Sequence, residues 1–373
     1  MKILHTADLH LGKTLNEYNM LELQRDILNQ IFNIAIDEAV DVVVIAGDIY
    51  QNSVPQAEAN TMFDSFITKL SKQDIKIIIA SGNHDSAERL NYGREIFEHY
   101  GIHLYCNSTV NKLSLTKNDQ TVNFYIWPFV GTYQLKEQLN ISNFTYEEGF
   151  KTIIEQLDID YNQVNCFIGH SFYTNSSYAI TSQSERELSV GTADNLDVAP
   201  LDQFDIAMFG HLHNPQKVKK ELFRYSGSIM KYSFSEVNHS KSVVVYNIQD
   251  KQNITYQLHQ LNPKLDLQVI EGKIEDLVKL KQNDNLVQII LTNTEVLPNP
   301  MATLRPVFAN ILEIKYKDLA LAIKTEEHQE ETTSTYQMFA KYYQDRTDKE
   351  LTLEEQEYLQ KLFAKIEGDG YDN

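Results

Sequence analysis

DVVVIAGDIYQNSVP, residues 41–55, is the stretch on which the fold turns. Val42 to Ala46 is an unbroken apolar run rich in β-branched residues, the pattern of a strand buried on both faces. Gly47-Asp48 follows at once, so the strand ends in a tight turn that carries a carboxylate. Pro55 then suits the first turn of a helix, and Met62, Phe63, Phe66, Ile67 and Leu70 repeat at helical spacing behind it. Working outward, KILHTA (2–7) and IKIIIA (75–80) are two more short strands. Between the first and the central strand, Leu23, Ile27, Ile31, Ile34 and Ala35 give the stretch Leu21 to Val40 a helical period. The order is βαβαβ, which predicts a parallel sheet at the core.

Farther out, residues 102–130 break into short alternating segments, 146–157 is helical, and strands Asn165–Ile168 and Asp205–Phe209 lead into Gly169-His170 and Gly210-His211. More strands follow in 222–260. The expectation is an α/β domain over 1–260, a two-sheet sandwich flanked by helices. Past Asn262-Pro263 comes a small α+β unit within 261–320: strand 265–270, helix 274–281, strand 286–291, helix 299–308 and strand 311–315. Thr325 to Thr335 contains no large apolar residue, so 321–335 is expected to be a linker. In 336–373, Met338, Phe339, Tyr342 and Tyr343 share one helix face. Thr352 and Glu355 make a capping box, and Leu359, Leu362, Phe363 and Ile366 follow at i, i+3, i+4 and i+7. This predicts a helical hairpin, freed by the linker to dock on a partner.

Composition sets the limits. In 373 residues, 42% hydrophobic and 23% charged content describe a soluble globular protein, and 21 Tyr with 17 Phe supply a large core. MKILHTADLH has no apolar segment after its charged start, so export is not expected. The longest apolar runs fall far short of the roughly 20 residues of a membrane span. Cys106 and Cys166, the two cysteines, are expected as buried thiols in a reducing cytoplasm. A net charge of −19 argues against a free-standing nucleic-acid binder, because affinity for a polyanion rests on Lys and Arg.

Five motifs follow the expected strands: Asp8-Leu-His10, Gly47-Asp48, Gly82-Asn83-His84-Asp85, Gly169-His170 and Gly210-His211-Leu-His213. The carboxyl ends of parallel strands converge on one crevice, so residues distant in sequence meet there. Carboxylate, imidazole and amide oxygen without thiolate suit a pair of hard or borderline divalent ions. Two such ions lower the pKa of a shared water and clamp phosphoryl oxygens for in-line displacement. Asp48, with two oxygens, is the natural bridge. Asp85 has two readings, a cap of the helix starting near Ser86 or the group that orients His84. His5, His99, His103, His239, His259 and His328 lack such a context and are expected in core or surface roles.

The ordered motif set resembles the calcineurin-like metallophosphoesterase superfamily, whose pattern D-x-H, G-D, G-N-H-[DE], G-H and G-H-x-H is intact here. Within it, ILHTADLHLGK (3–13), AGDIYQNSVP (46–55), GNHDS (82–86), FGHLHNPQ (209–216) and YSGSIMKYSFSE (225–236) resemble the SbcD family of bacterial DNA-repair nuclease subunits. The resemblance implies two metal sites: Asp8, His10, Asp48 and His213 for one ion, and Asp48, Asn83, His170 and His211 for the other. It implies Mn2+ as the preferred ion, with Mg2+ as the alternative, and His84 as a catalytic acid oriented by Asp85. More distant members often carry histidine where Gln51 stands. It also implies a homodimer that joins an SbcC-type coiled-coil ATPase in a heterotetramer, ATP entering only through that partner. Residues 265–316 would cap access to the metals, the helices of 56–70 and 86–99 are candidates for the dimer contact, and DNA ends and hairpins would be the substrates, in repair, recombination and replication. A phosphoesterase for small nucleotides or phosphoproteins would use the same metals but has no evident need of a cap and a tethered hairpin. A non-catalytic scaffold would be expected to have lost ligands, and none is missing.

Overall fold

The computed structural model describes residues 1–139, 145–175, 181–182, 185, 195–317, 343, 351–352, 355–356 and 358–359. Two six-stranded sheets face each other. In the first the order is Ile254–Gln260, Ser242–Ile248, Lys2–Thr6, Val42–Ala46, Lys76–Ala80, Ile102–Tyr105. Its last four strands are mutually parallel, while Ser242–Ile248 runs antiparallel to Lys2–Thr6. The second sheet runs Gln216–Val218, Lys220–Tyr225, Ile206–Gly210, Val164–His170, Gln120–Trp127, Asn111–Lys117. Its four central strands are again parallel.

Strand residues alternate between two buried faces. Ile3, Val42, Val44, Ile78 and Ala80 point into the inter-sheet core with Phe124, Cys166, Ile168, Ile206 and Met208. Leu4, Val43, Ile45, Ile77 and Ile79 point outward, beneath the helices Leu21–Asp37 and Ala57–Ser71. The helix Tyr146–Glu155 covers the outer face of the second sheet, where Phe150 stacks on Trp127 at 4.9 Å. The continuous apolar run at 42–46 is thus explained: both of its faces are covered.

Residues 267–316 form a three-stranded sheet, in the order Leu267–Gly272, Asn283–Leu291, Phe308–Tyr316. Leu267 and Leu286 join the core under helix Leu21–Asp37, and Lys231 pairs with Asp266 at 2.7 Å. The helices here are shorter than expected. Ile274–Leu277 stops where Val278 and Leu280 are exposed and give a further turn nothing to pack on. Pro300–Leu304 stops ahead of Pro306, which has no N–H to continue the helical hydrogen bonds, while Arg305 itself keeps helical geometry. The helix expected over 86–99 is two, Ala87–Leu90 and Arg94–His99, divided by Gly93 in a left-handed conformation at φ 76°.

The chain divides into two compact units, Met1–Leu291 with Leu297–Lys315, and a second to which Thr292–Val296 and the described residues from Tyr316 onward belong. In the second, Thr352 and Glu355 make the expected capping box: Glu355 N–H donates to Thr352 Oγ1 at 3.4 Å and Thr352 N–H to Glu355 Oε2 at 2.8 Å. The expected linker 321–335 and the hairpin positions Met338, Phe339, Tyr342, Leu362, Phe363 and Ile366 lie outside the described residues. Among the described residues no helix is long and apolar enough to cross a membrane.

Candidate metal centre

Every motif residue sits at the same end of the sandwich. Strand Lys2–Thr6 delivers Asp8 and His10, Val42–Ala46 delivers Asp48, and Lys76–Ala80 delivers Asn83 and His84. From the second sheet, Gly169-His170 and Gly210 prove to be the last residues of their strands rather than loop residues after them, and His211 and His213 follow. The loops are stitched by backbone bonds, Asp8 N–H to Gly47 O and His10 N–H to Asp48 O, each 3.0 Å. Gly210 is needed for close approach, since a Cβ there would lie 1.9 Å from Ala46 O on the opposing sheet. At Gly82 it would lie 2.2 Å from Asp48 Oδ1.

Four of the seven candidate ligands are non-glycine residues at positive φ: Asp8 (52°), His10 (44°), Asp48 (51°) and His211 (106°). Such backbone costs on the order of 1–3 kcal/mol per residue and gathers where a site needs it. Here it turns side chains of three loops toward one point.

Asp8, His10, Asp48, His84, His170, His211 and His213 are buried, and Asn83 is half-buried. On one side of Asp48, His10 Nε2 lies 3.7 Å from Asp48 Oδ2 and 3.1 Å from His213 Nε2. On the other, His170 Nε2 lies 3.3 Å from Asp48 Oδ2 and 3.1 Å from Asn83 Oδ1, and His211 Nδ1 lies 3.3 Å from that same amide oxygen. Asp8 accepts two bonds from His211 N–H and stands 3.9 Å from His170. Three overlapping groups have ligand atoms within 4.8 Å of one another: Asp8/His10/His213, His10/Asp48/His84 and Asp8/Asp48/His170.

The donor set fits divalent cations. His170 Nδ1 donates to Ala46 O at 2.8 Å, so Nε2 is the nitrogen turned toward Asp48 and Asn83. Carboxylate, amide and imidazole groups buried together this closely need positive charge among them, supplied by a proton or by a cation. The pKa values of the cluster carry the same tension. Burial would hold His170 neutral, but Asp48 and Asp8 carry its pKa up to about 9. Burial pushes Asp8 up to about 7, with His170 and His213 pulling the other way. Asp48, despite burial, is held well below the carboxylate range by His170 and His10. Burial, aided by His170, pulls His211 down to about 3.

The structure revises the role expected of Asp85. Its carboxylate accepts the backbone N–H groups of Ile49 (3.2 Å), Tyr50 (3.0 Å) and Gly82 (2.9 Å), so it ties the Asp48 loop to the Asn83 loop. Ser86, not Asp85, caps the following helix through Arg89 N–H. His84 Nδ1 lies 2.8 Å from the main-chain oxygen of Gln51, and its N–H donates to Asp48 Oδ1 at 2.8 Å. Gln51 therefore acts on the site through its backbone.

Several supporting residues lie outside the five motifs, two of them, Tyr232 and Glu236, within the stretch 225–236. Gln24 Nε2 donates to His10 O (2.8 Å), Leu9 O (3.2 Å) and Tyr232 OH (3.0 Å), and Gln24 Oε1 accepts from Gly12 N–H. Tyr232 packs edge-on against His10 and donates to Leu9 O. Gln24 lay in view as a polar residue on the apolar face of its helix, one place after Leu23. Glu236 and Lys241 are buried charges beside His213 that spacing gives no reason to notice.

A family model described as calcineurin-like phosphoesterase matches residues 1–215, and one described as type 5 capsule protein repressor C-terminal domain matches residues 263–347. The SbcD subunit of the nuclease SbcCD from Staphylococcus epidermidis is 38% identical over 322 residues, which cover 84% of this chain and 85% of that protein. The protein of the same name from Staphylococcus saprophyticus is 32% identical over 380 residues, 99% and 100% of the two chains. A dimetal phosphatase from Danio rerio overlays 70% of this chain and 97% of its own, at 10% identity and a TM-score of 0.44.

Proposed function

We propose, from the premise that this chain belongs to the calcineurin-like phosphoesterases and within them to the SbcD family of SbcCD nucleases, that it is the two-metal nuclease component of a DNA-processing complex. It acts as an exonuclease on double-strand ends and an endonuclease on hairpins and single strands, alongside an SbcC-type ATPase in the cytoplasm. The observation that carries this reading is the convergence of Asp8, His10, Asp48, Asn83, His170, His211 and His213 at one end of the sandwich. It stands in a chain that aligns over 99% of its length with an SbcD protein.

Asp8, His10, Asp48 and His213 would hold one divalent ion, and Asp48, Asn83, His170 and His211 the other, with Mn2+ the preferred ion by family resemblance. Bound there, the ions supply a nucleophile from water at neutral pH and neutralise charge on the phosphoryl oxygens. Asp48 keeps the two positions in register, and His84 N–H fixes one of its oxygens. The His84 ring, 4.8 Å from that of His10, has Nδ1–H engaged by Gln51 O, and in its imidazolium form Nε2–H would give its proton to the departing 3′ oxygen, returning the ring to neutral. Asp85 keeps the two loops together.

Residues 261–320 serve as the cap and 336–373, after the 321–335 linker, as the docking module for the ATPase, through which alone ATP enters. Val54, Tyr92, Ile96 and Tyr100, 64–85% exposed on and beside the helices near 56–70 and 86–99, are the surface proposed to join two copies. The decisive assay is cleavage of end-labelled hairpin DNA with Mn2+, with and without the partner ATPase. Faster turnover of bis-p-nitrophenyl phosphate or cyclic nucleotides than of hairpin DNA would overturn the assignment.

A further inference from the structure

The two imidazoles that meet at 3.1 Å on one side of Asp48 are backed differently. His10 Nδ1 has no hydrogen-bond partner among the described residues, whereas His213 Nδ1 lies 3.2 Å from Glu236 Oε1. Glu236 is fully buried, at the end of the short turn Phe234–Glu236, and its second oxygen is paired with Lys241. Lys241, also buried, donates to the main-chain oxygen of His213 (2.7 Å) and to Ser228 Oγ (2.8 Å). One buried ion pair thus grips both the side chain and the backbone of a single residue.

A buried ion pair is a poor device for stability, because desolvation of both charges offsets their attraction and apolar residues of like volume often do as well. Its geometry suits another purpose. An ionised carboxylate only accepts, so the ring beside it presents Nδ1–H and turns Nε2, the nitrogen available to a metal, the other way. That nitrogen is the atom facing His10. A carboxylate behind a ligating imidazole fixes its tautomer and orientation and raises its basicity, and loss of such support costs metal affinity about 10–100-fold.

We infer that Glu236 is a positioning residue for the metal position that His213 serves, with Lys241 as the counter-charge that allows a carboxylate to stand there. The inference rests on the metal-centre reading and deepens it by making the two positions unequal: one is backed by an ionised carboxylate, whereas at the other His170 is backed by a peptide carbonyl.

The test uses the full chain, stripped of metal and titrated with Mn2+ by calorimetry, with 15N NMR of the histidine rings. Glu236→Gln/Lys241→Met keeps an acceptor but no charge, and Glu236→Met/Lys241→Met keeps neither. The wild type is expected to show two binding events and a His213 ring protonated at Nδ1. The Gln/Met variant should keep that tautomer and bind one ion more weakly. The Met/Met variant should lose the tautomer preference and weaken the same event about 10–100-fold, the other event staying within about twofold. Unchanged affinities with an unchanged tautomer would overturn the role of Glu236, as would equal loss of both events in a variant with wild-type circular dichroism. Should Met/Met not fold, the Gln/Met variant carries the affinity comparison, with one event weakened and the other within about twofold, and unchanged affinities overturn the role of Glu236. Failure of the metal-centre reading is distinguishable, because then the wild type itself would not bind two ions or Asp48→Asn would leave both in place.

Discussion

At the scale of single residues, the loops around Asp48 assign different work to two neighbours that the sequence presents as one motif. His84 reaches the site with its ring and Asp85 with a carboxylate turned to three backbone N–H groups. His84→Gln is therefore expected to cut turnover by about 10²–10⁴-fold while calorimetry still shows two Mn2+ bound; loss of both together would make His84 a ligand. Asp85→Ala should behave otherwise. It leaves three N–H groups without their acceptor, at about 1–3 kcal/mol each if they stay buried, and lets Asp48 move. Mn2+ binding and turnover should fall together. His5 offers a pH test away from the ligands. It lies in the strand Lys2–Thr6 between Val44 and Val244, and burial pulls its pKa down to about 3. Between that value and its ordinary 6.5 the unfolded chain binds the extra proton, so stability is full above 6.5 and declines as pH falls through this window. The loss from His5 between pH 7 and pH 5 is about 2 kcal/mol. Urea denaturation at the two pH values should show His5→Leu less acid-sensitive than wild type by that amount; parallel losses would place the acid sensitivity elsewhere.

At the scale of elements, strand ends make the site, and this decides what the sequence could reveal. The runs Val42–Ala46 and Ile77–Ala80 were legible because both faces of each strand are covered, which leaves no polar residue within them to blur the pattern. The motif residues were legible because chemistry restricts their types and the chain places them after successive strands. The short helix Ile274–Leu277 was not, since its end depends on what the next turn can pack against, whereas the end of Pro300–Leu304 could have been read from Pro306. Nor was the role of Gln51, whose part is played by a main-chain oxygen that any residue carries. Glu236 and Lys241 were hidden for a third reason: the meaning of Glu236 lies in a contact 23 residues back along the chain, at His213. The meeting of the sheets is testable at Gly210, the last residue of its strand. A methyl group there would collide with Ala46 O at the end of the opposing strand and with His170 Nδ1 at 2.7 Å. Gly210→Ala should force the two strand ends apart, lowering stability by about 1–3 kcal/mol and weakening Mn2+ binding. A folded variant with wild-type calorimetry would show that the sheets can yield without disturbing the site.

At the scale of the whole molecule, charge and site pull in opposite directions. A chain with net charge −19 repels DNA over most of its surface. Two divalent ions at one end offset this only locally, because exposed charges are screened beyond about 8–10 Å at physiological salt. The action on DNA proposed above therefore calls for basic surface from elsewhere, which is the part proposed for the ATPase. The proposed tether makes this separable. Removal of residues 336–373 leaves every candidate ligand in place, since all lie at or before His213. The truncated protein should cleave short single-stranded substrates at close to the full-length rate and bind two Mn2+. It should no longer co-purify with the ATPase, and addition of that ATPase should no longer stimulate cleavage of hairpin DNA. Retained co-purification would move the docking surface into residues 1–335, and loss of single-strand cleavage with both ions still bound would make the terminal segment part of the nuclease itself.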